Sequence, residues 1–422
     1  MDFFSNRKDV ELKVLHTSDL HIGKQLLKLK LNDIHKSFFD FLIDTIKKNN
    51  VDLLLISGDI FDNRTPSPTA QTLFYDFLVD LIKKTKIKDV VIISGNHDSK
   101  MIVSLVAPLL NKFNIHVVTS AKVEEELLIL TLNDKCYAQV LAVPYLNDSD
   151  LRSNFENKDA NDLENEIEDE LTQHFAKCEA LIKEKCDPSL PIIGMAHLFT
   201  SGGSVNIDKG DGVRDIYVGK LNTLPSKVFP PSLDYLALGH IHKPQIINKE
   251  EKLTYCGSPI PLGFGERDDK GVILLDFDKK QFTKQFIKTP LFISLFQAKG
   301  ASYEEIINKI DIFEASLTDE VKEQTTYLEI LYSGLKIDPY LSDKLTEYLS
   351  TKDKKYEILS VKIENKTLVL NNTKQVKALS MLTPKEIFNE IIKDKLDDNV
   401  IALFDTVMDE LNNEETEISH EN

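Results

Sequence analysis

Five short stretches of this chain carry the groups that could do chemistry: Asp19-x-His21 in "SDLH", Asp59 and Asp62 in "GDIFD", Asn96-His97-Asp98 in "GNHD", His197 in "GMAH", and His240-x-His242 in "GHIH". They hold five of the ten histidines. Singly, each fits an ordinary role. Asp19 could cap a helix, Gly58-Asp59 and Gly95-Asn96 could be turns, and His197 could be a satisfied core histidine. Together they place imidazoles, carboxylates and an amide at the ends of apolar runs, where such groups are costly to desolvate unless something pairs them. This mixture of nitrogen and oxygen donors suits two divalent transition metals such as manganese or iron. Two cations about 3.5–4 Å apart need a shared ligand, usually a carboxylate. Asp59, just after a tight glycine turn, is the natural bridge.

The elements that must position these groups alternate between strand and helix. "LKVLHTSDLH", "VDLLLISGD" and "KDVVIISGNHD" read as buried strands, separated by the amphipathic helices "DIHKSFFDFLIDTIKKNN" and "SPTAQTLFYDFLVDLIKK". Solid apolar strands joined by helices predict a parallel sheet covered on its faces, with ligand-binding groups at the carboxyl ends of the strands. Residues 155–182 place Phe155, Leu163, Ile167, Leu171, Phe175 and Cys178 at near-helical spacing, an acidic amphipathic helix before the strand "PIIGMAH". "DYLALGH", "LTYCGSPI" and "GVILLDFD" predict a second sheet. From about 291 the pattern restarts as a small β-α-β-α-β unit ending near "YEILSVKIE".

The net charge is −17, which argues at first sight against a polyanionic partner. Residues 147–187, with 13 acidic and 5 basic side chains, and residues 394–422, with 10 and 1, hold the whole excess. The remaining body is neutral, so nucleic acid is not excluded. Four cysteines without CxxC spacing argue against a zinc site or a disulfide framework and predict reduced thiols in a cytoplasmic protein. No apolar run is long enough for a membrane span, and no secretory signal pattern opens the chain. There is no GxxxxGK[ST] cradle, so the chain itself is not expected to hydrolyse ATP.

The ordered series D-x-H, GD-x-x-D, GNH-D, a lone His and GH-x-H resembles the signature of the calcineurin-like metallophosphoesterases. "TSDLHIGK", "ISGDIFDNRTPSPTA", "ISGNHDS", "VPYL", "LGHIHKPQ" and "YCGSPIPLGFGE" further resemble the SbcD family of nuclease subunits, strongly over residues 12–275. The resemblance implies an α/β fold: a four-layer α-β-β-α sandwich over 1–285, a small α/β capping domain for DNA over 286–368, and a linker with a C-terminal helix and acidic tail over 369–422. It implies two metals, most simply Mn²⁺. One would be held by Asp19, His21, Asp59 and His242, the other by Asp59, Asn96, His197 and His240. His97 would face the scissile phosphate, with Asp62 as its partner and Asp98 supporting the same turn from behind.

The implied activity is that of a DNA exonuclease and hairpin or single-strand endonuclease in repair, recombination and replication, in the cytoplasm at the nucleoid. The implied partners are DNA, a coiled-coil ABC ATPase of the SbcC type, and a second copy of the chain within a heterotetramer, with no membrane. Phe38, Phe39, Phe41, Leu73, Phe74, Phe77 and Leu78 on the first two helices are the surface the family would pair across a two-fold axis. The alternative is another calcineurin-like phosphodiesterase or phosphatase, acting on a nucleotide or phosphoprotein. A protein phosphatase of this superfamily usually carries GD-x-x-DRG. Here Asn63 follows Asp62 and Arg64 comes one place late.

Thr383-Pro384-Lys385-Glu386 forms a helix start with a capping box. Ile387, Phe388 and Ile391, continued by Val400, Phe404 and Val407, make an apolar stripe. Such a stripe packs either on its own chain or in a partner's groove. The resemblance favours the ATPase coiled coil.

Overall fold

The computed structural model describes residues 11–147, 150, 160–200, 224–247, 252–266, 269–318, 322–334 and 338–363, and over 160–167 the backbone alone. The C-terminal stripe from Ile387 to Val407, Phe155, and the side chains of Leu163 and Ile167 lie outside the described residues.

The strands of the first third are solid apolar runs because both of their faces are covered. In Leu53–Ser57, Leu54 and Ile56 join a core with helices Asn32–Asn49 and Pro68–Lys84, while Leu53 and Leu55 enter a second core beneath. Asp89–Ile93 divides in the same way, Val90 and Ile92 to one side and Val91 and Ile93 to the other, which is the two-residue period of a strand. Both helices end in lysines, and Ser67 caps the second by accepting the Ala70 N–H at 3.2 Å.

Four parallel strands, Glu11–Thr17, Leu53–Ser57, Asp89–Ile93 and Ile115–Val118, lie side by side in the first sheet. The expectation for "GVILLDFD" is overturned. Gly271–Asp278 does not enter the second sheet but pairs antiparallel with Glu11–Thr17, followed by Gln281–Lys288 at the edge. Its alternation serves both cores, Val272 and Leu274 on one side and Ile273, Leu275 and Phe277 on the other, as an interior strand of the first sheet requires.

The second sheet runs Gln245–Ile246, Leu253–Tyr255, Tyr235–Gly239, Ile192–His197, Lys135–Ala142 and Leu127–Leu132. Its outer face packs on helix Ala160–Lys185 through Phe175, Cys178 and Ile182. Helices, sheet, sheet and helix give the four layers expected.

The β-α-β-α-β unit forms as read: parallel strands Ser294–Gly300, Thr326–Tyr332 and Tyr356–Ile363, with helices Tyr303–Ala315 and Leu341–Ser350. Ile306, Ile310, Leu341 and Leu345 close its own core. Phe292, Leu295 and Tyr327 also pack against the first core. The apolar residues read as a pairing surface are largely taken up by the core: Phe38, Phe39, Phe74, Phe77 and Leu78 are buried in it, Leu73 is half-buried against it, and Phe41 meets Phe292 at 6.3 Å. No helix among the described residues is long and apolar enough to cross a membrane.

Candidate metal centre

Every residue of the five stretches sits at or just beyond the carboxyl end of a parallel strand, and the two sheets bring these ends together. The loops after Thr17 and Ser57 are clipped to each other: Asp19 N–H donates to the Gly58 carbonyl and His21 N–H to that of Asp59, both at 3.0 Å. Gly58 (φ +85°) could not be replaced in place, because a Cβ there would collide with the His197 ring. Asp19 (φ 53°), His21 (46°), Asp59 (49°) and His240 (101°) all adopt positive φ. Such conformations cost about 1–3 kcal/mol each and persist only where the surroundings enforce them.

At the centre lies Asp59. Its Oδ2 is 3.4 Å from His21 Nε2 and 3.3 Å from His197 Nε2. Its Oδ1 is engaged elsewhere, accepting the His97 backbone N–H at 2.9 Å. On one side, His21 Nε2 and His242 Nε2 stand 3.2 Å apart, with Asp19 in the same cluster. On the other, Asn96 Oδ1 is 3.0 Å from both His197 Nε2 and His240 Nδ1. Asp19 Oδ1 accepts the His240 N–H at 2.9 Å, tying the two sides together.

The donor chemistry fits cations. His197 Nδ1–H donates to the Ser57 carbonyl at 2.8 Å, and His242 Nδ1–H to Glu266 at 3.1 Å. In the neutral rings, both Nε2 lone pairs are then aimed at oxygen acceptors or at another imidazole nitrogen. A proton or a cation is needed to satisfy that arrangement. Burial opposes charge on His197, but the Asp59 carboxylate outweighs it and holds the imidazole above its usual range. Burial and neighbouring His197 push His240 down to about 3, so the ring is neutral.

Asp98 accepts backbone N–H groups from Gly95 (2.8 Å), Phe61 (2.9 Å) and Ile60 (3.1 Å), pinning two of the loops together. Burial and the charge of Asp59 raise it to about 6. Asp62 departs from the expected arrangement. It meets His97 through its backbone carbonyl, 2.9 Å from Nδ1, while its carboxylate turns to Lys24 at 3.0 Å and His21 Nδ1 at 3.4 Å. Lys24 offers that carboxylate a permanent charge, which a neutral imidazole does not.

Reading by motif gave no role to Glu266, the last residue of "YCGSPIPLGFGE". Its side chain is enclosed, and besides orienting His242 it accepts from Lys270 at 2.5 Å and from Leu262 N–H at 3.1 Å. Burial works to raise it, but Lys270 prevails and holds it down at about 2. The signal was weak, a lone acid after a glycine-rich turn.

The sequence profile described as calcineurin-like phosphoesterase matches residues 12–244. The chain belongs to this family. This calcineurin-like phosphoesterase is 32% identical over 394 residues to the SbcD subunit of nuclease SbcCD from Escherichia coli strain K12, covering 90% of this chain and 92% of that protein. It is 30% identical over 208 residues to the protein of the same name from Rhodobacter capsulatus, covering 47% and 48%. A third match, 35% identical over 86 residues, is to the Bacillus subtilis protein, covering 20% and 21%. Divalent-metal binding comes with the family, and the clusters Asp19–His21–His242 and Asp19–Asp59–His197 supply candidate ligands for it.

Proposed function

We propose that this phosphoesterase is the metal-dependent nuclease subunit of an SbcCD-type complex, hydrolysing phosphodiesters of DNA ends and hairpins. The observation that carries the dinuclear reading is Asp59 Oδ2, nearly equidistant between His21 and His197. One cation is assigned to Asp19, His21, Asp59 and His242, and the other to Asp59, Asn96, His197 and His240. Asp59 would serve both cations, since its Oδ2 faces His21 and His197 while its Oδ1 is held by His97 N–H. Held there, a pair of divalent cations, Mn²⁺ in this reading, would supply an activated water and offset charge on the phosphate. His97, oriented by the Asp62 carbonyl and packed edge-on against His21 at 4.8 Å, would as an imidazolium give its Nε2 proton to the departing oxygen.

Support for DNA as substrate and for a coiled-coil ABC ATPase as partner comes from the kinship with SbcCD nucleases. In this reading residues 1–285 form the nuclease domain, 286–368 a DNA-facing cap, and 369–422 the partner-binding segment, working in the cytoplasm at the nucleoid. A homodimer would use the exposed stripe of Met101, Leu105 and Leu109 rather than the buried aromatics of the first two helices. The test is substrate choice with manganese: linear duplex and hairpin DNA against p-nitrophenyl phosphate and a phosphopeptide. DNA cleavage, stimulated by the co-encoded ATPase with ATP, is the expected result; turnover of the phosphopeptide with DNA left intact would overturn the proposal. A chain ending near residue 375 is expected to keep cleavage of accessible ends and to lose the ATPase.

A further inference from the structure

A second donor set lies on the outer face of the second sheet. The helix Ala160–Lys185 and the turn Val123–Glu126 bring together Glu126, His174 and Cys178. His174 and Cys178 are four residues apart, and so project from one face of the helix. Both reach the same carboxylate oxygen: Glu126 Oε2 lies 2.8 Å from His174 Nε2 and accepts from Cys178 Sγ at 3.5 Å. The other oxygen, Oε1, is buried with no hydrogen-bond partner among the described residues. Glu126 and Cys178 are fully enclosed and His174 is 8% exposed. Ordinary hydrogen bonding accounts for Oε2. It leaves Oε1 unsatisfied, which is costly at such burial.

We propose that Glu126, His174 and Cys178 form a binding site for a single divalent cation of the zinc class. Thiolate, imidazole and carboxylate are the three donor types that zinc takes, and a tetrahedral ion holds such ligands roughly 3.2–3.7 Å apart. The three ligand atoms here lie within 4.8 Å of one another. On binding, the Cys178 thiol gives its proton to solvent as sulfur bonds the cation. His174 contributes a neutral nitrogen lone pair. The ligands then carry two negative charges against the two positive charges of the ion, and no lone charge remains inside the protein.

His174 also lines a cleft of about 500 Å³ with Lys122, Glu124 and Lys177, which gives an entry path and room for water as the fourth ligand. Because Glu126 directly precedes the edge strand Leu127–Leu132, the ion would staple that edge to the long helix. The inference stands independently of the nuclease reading.

Cobalt(II) added to the metal-stripped full chain separates the two centres. The residues assigned to the dinuclear centre include no thiolate, so a thiolate-to-cobalt charge-transfer band reports the second site alone. The expected result is a band whose saturated amplitude corresponds to one cobalt per chain in the wild type, lost in Cys178→Ser and His174→Ala, and retained in Cys256→Ser and Asp59→Asn. Cys178→Ser should also keep manganese-dependent phosphodiester cleavage. Absence of the band in the wild type would overturn the proposal whatever the variants do, and so would its survival in Cys178→Ser.

Discussion

The loops above the paired sheets and the small unit over residues 294–363 are built from the same parts, parallel strands joined by helices. They differ in what their polar groups face. In the small unit the buried charges are answered within the fold: Glu329 meets Gln297 and Lys362, and Lys354 donates to the Gln324 carbonyl. No residue of that unit other than glycine has positive φ among those described. Above the paired sheets, four left-handed residues hold imidazole lone pairs against carboxylate and amide oxygens. The difference locates chemistry by its unsettled electrostatics and its enforced strain. Strand–helix alternation alone does not distinguish the two regions.

Replacing the shared carboxylate should break the contrast most completely. Asp59→Asn is expected to lower phosphodiester turnover by about 10³-fold or more and to reduce manganese content below wild type, read by elemental analysis. Full metal content in that variant would sink the bridging assignment. His97→Gln should come next, with kcat down by about 10²–10³-fold while both metals and DNA binding persist. If a metal is lost instead, His97 is itself a ligand. Glu266→Gln, which leaves His242 without its anionic partner, should weaken manganese binding by about 10–100-fold in calorimetry.

A smaller effect follows from pH. The Asp59 charge keeps a proton on His197 up to about 9, and a cation must displace it, so manganese affinity should rise as pH increases toward that value. A flat profile would detach His197 from the metal. In the small unit, Ile306→Ala should cost about 2–5 kcal/mol of stability in denaturant titration yet leave turnover of a small phosphodiester unchanged. A fall in kcat there would show that the two regions are not separable.

Much of this was legible from the chain alone. Alternating faces are a local property, so "VDLLLISGD" announced a strand covered on both sides, and the clusters closing such strands announced buried donors of the right types. Local pattern could not say which sheet "GVILLDFD" joins, because an interior strand of either sheet carries the same alternation. Nor could it assign single atoms. That Asp59 offers Oδ2 to both histidine sets while Oδ1 is held by His97, and that the Asp62 carboxylate prefers Lys24, depends on how separate loops meet. Glu126 and His174, 48 residues apart, share no motif at all. By itself the sequence determined residue type, order and the period of burial, which neighbouring positions dictate. Only the tertiary structure decided which polar atoms face one another, because those contacts arise where distant segments are packed out of water.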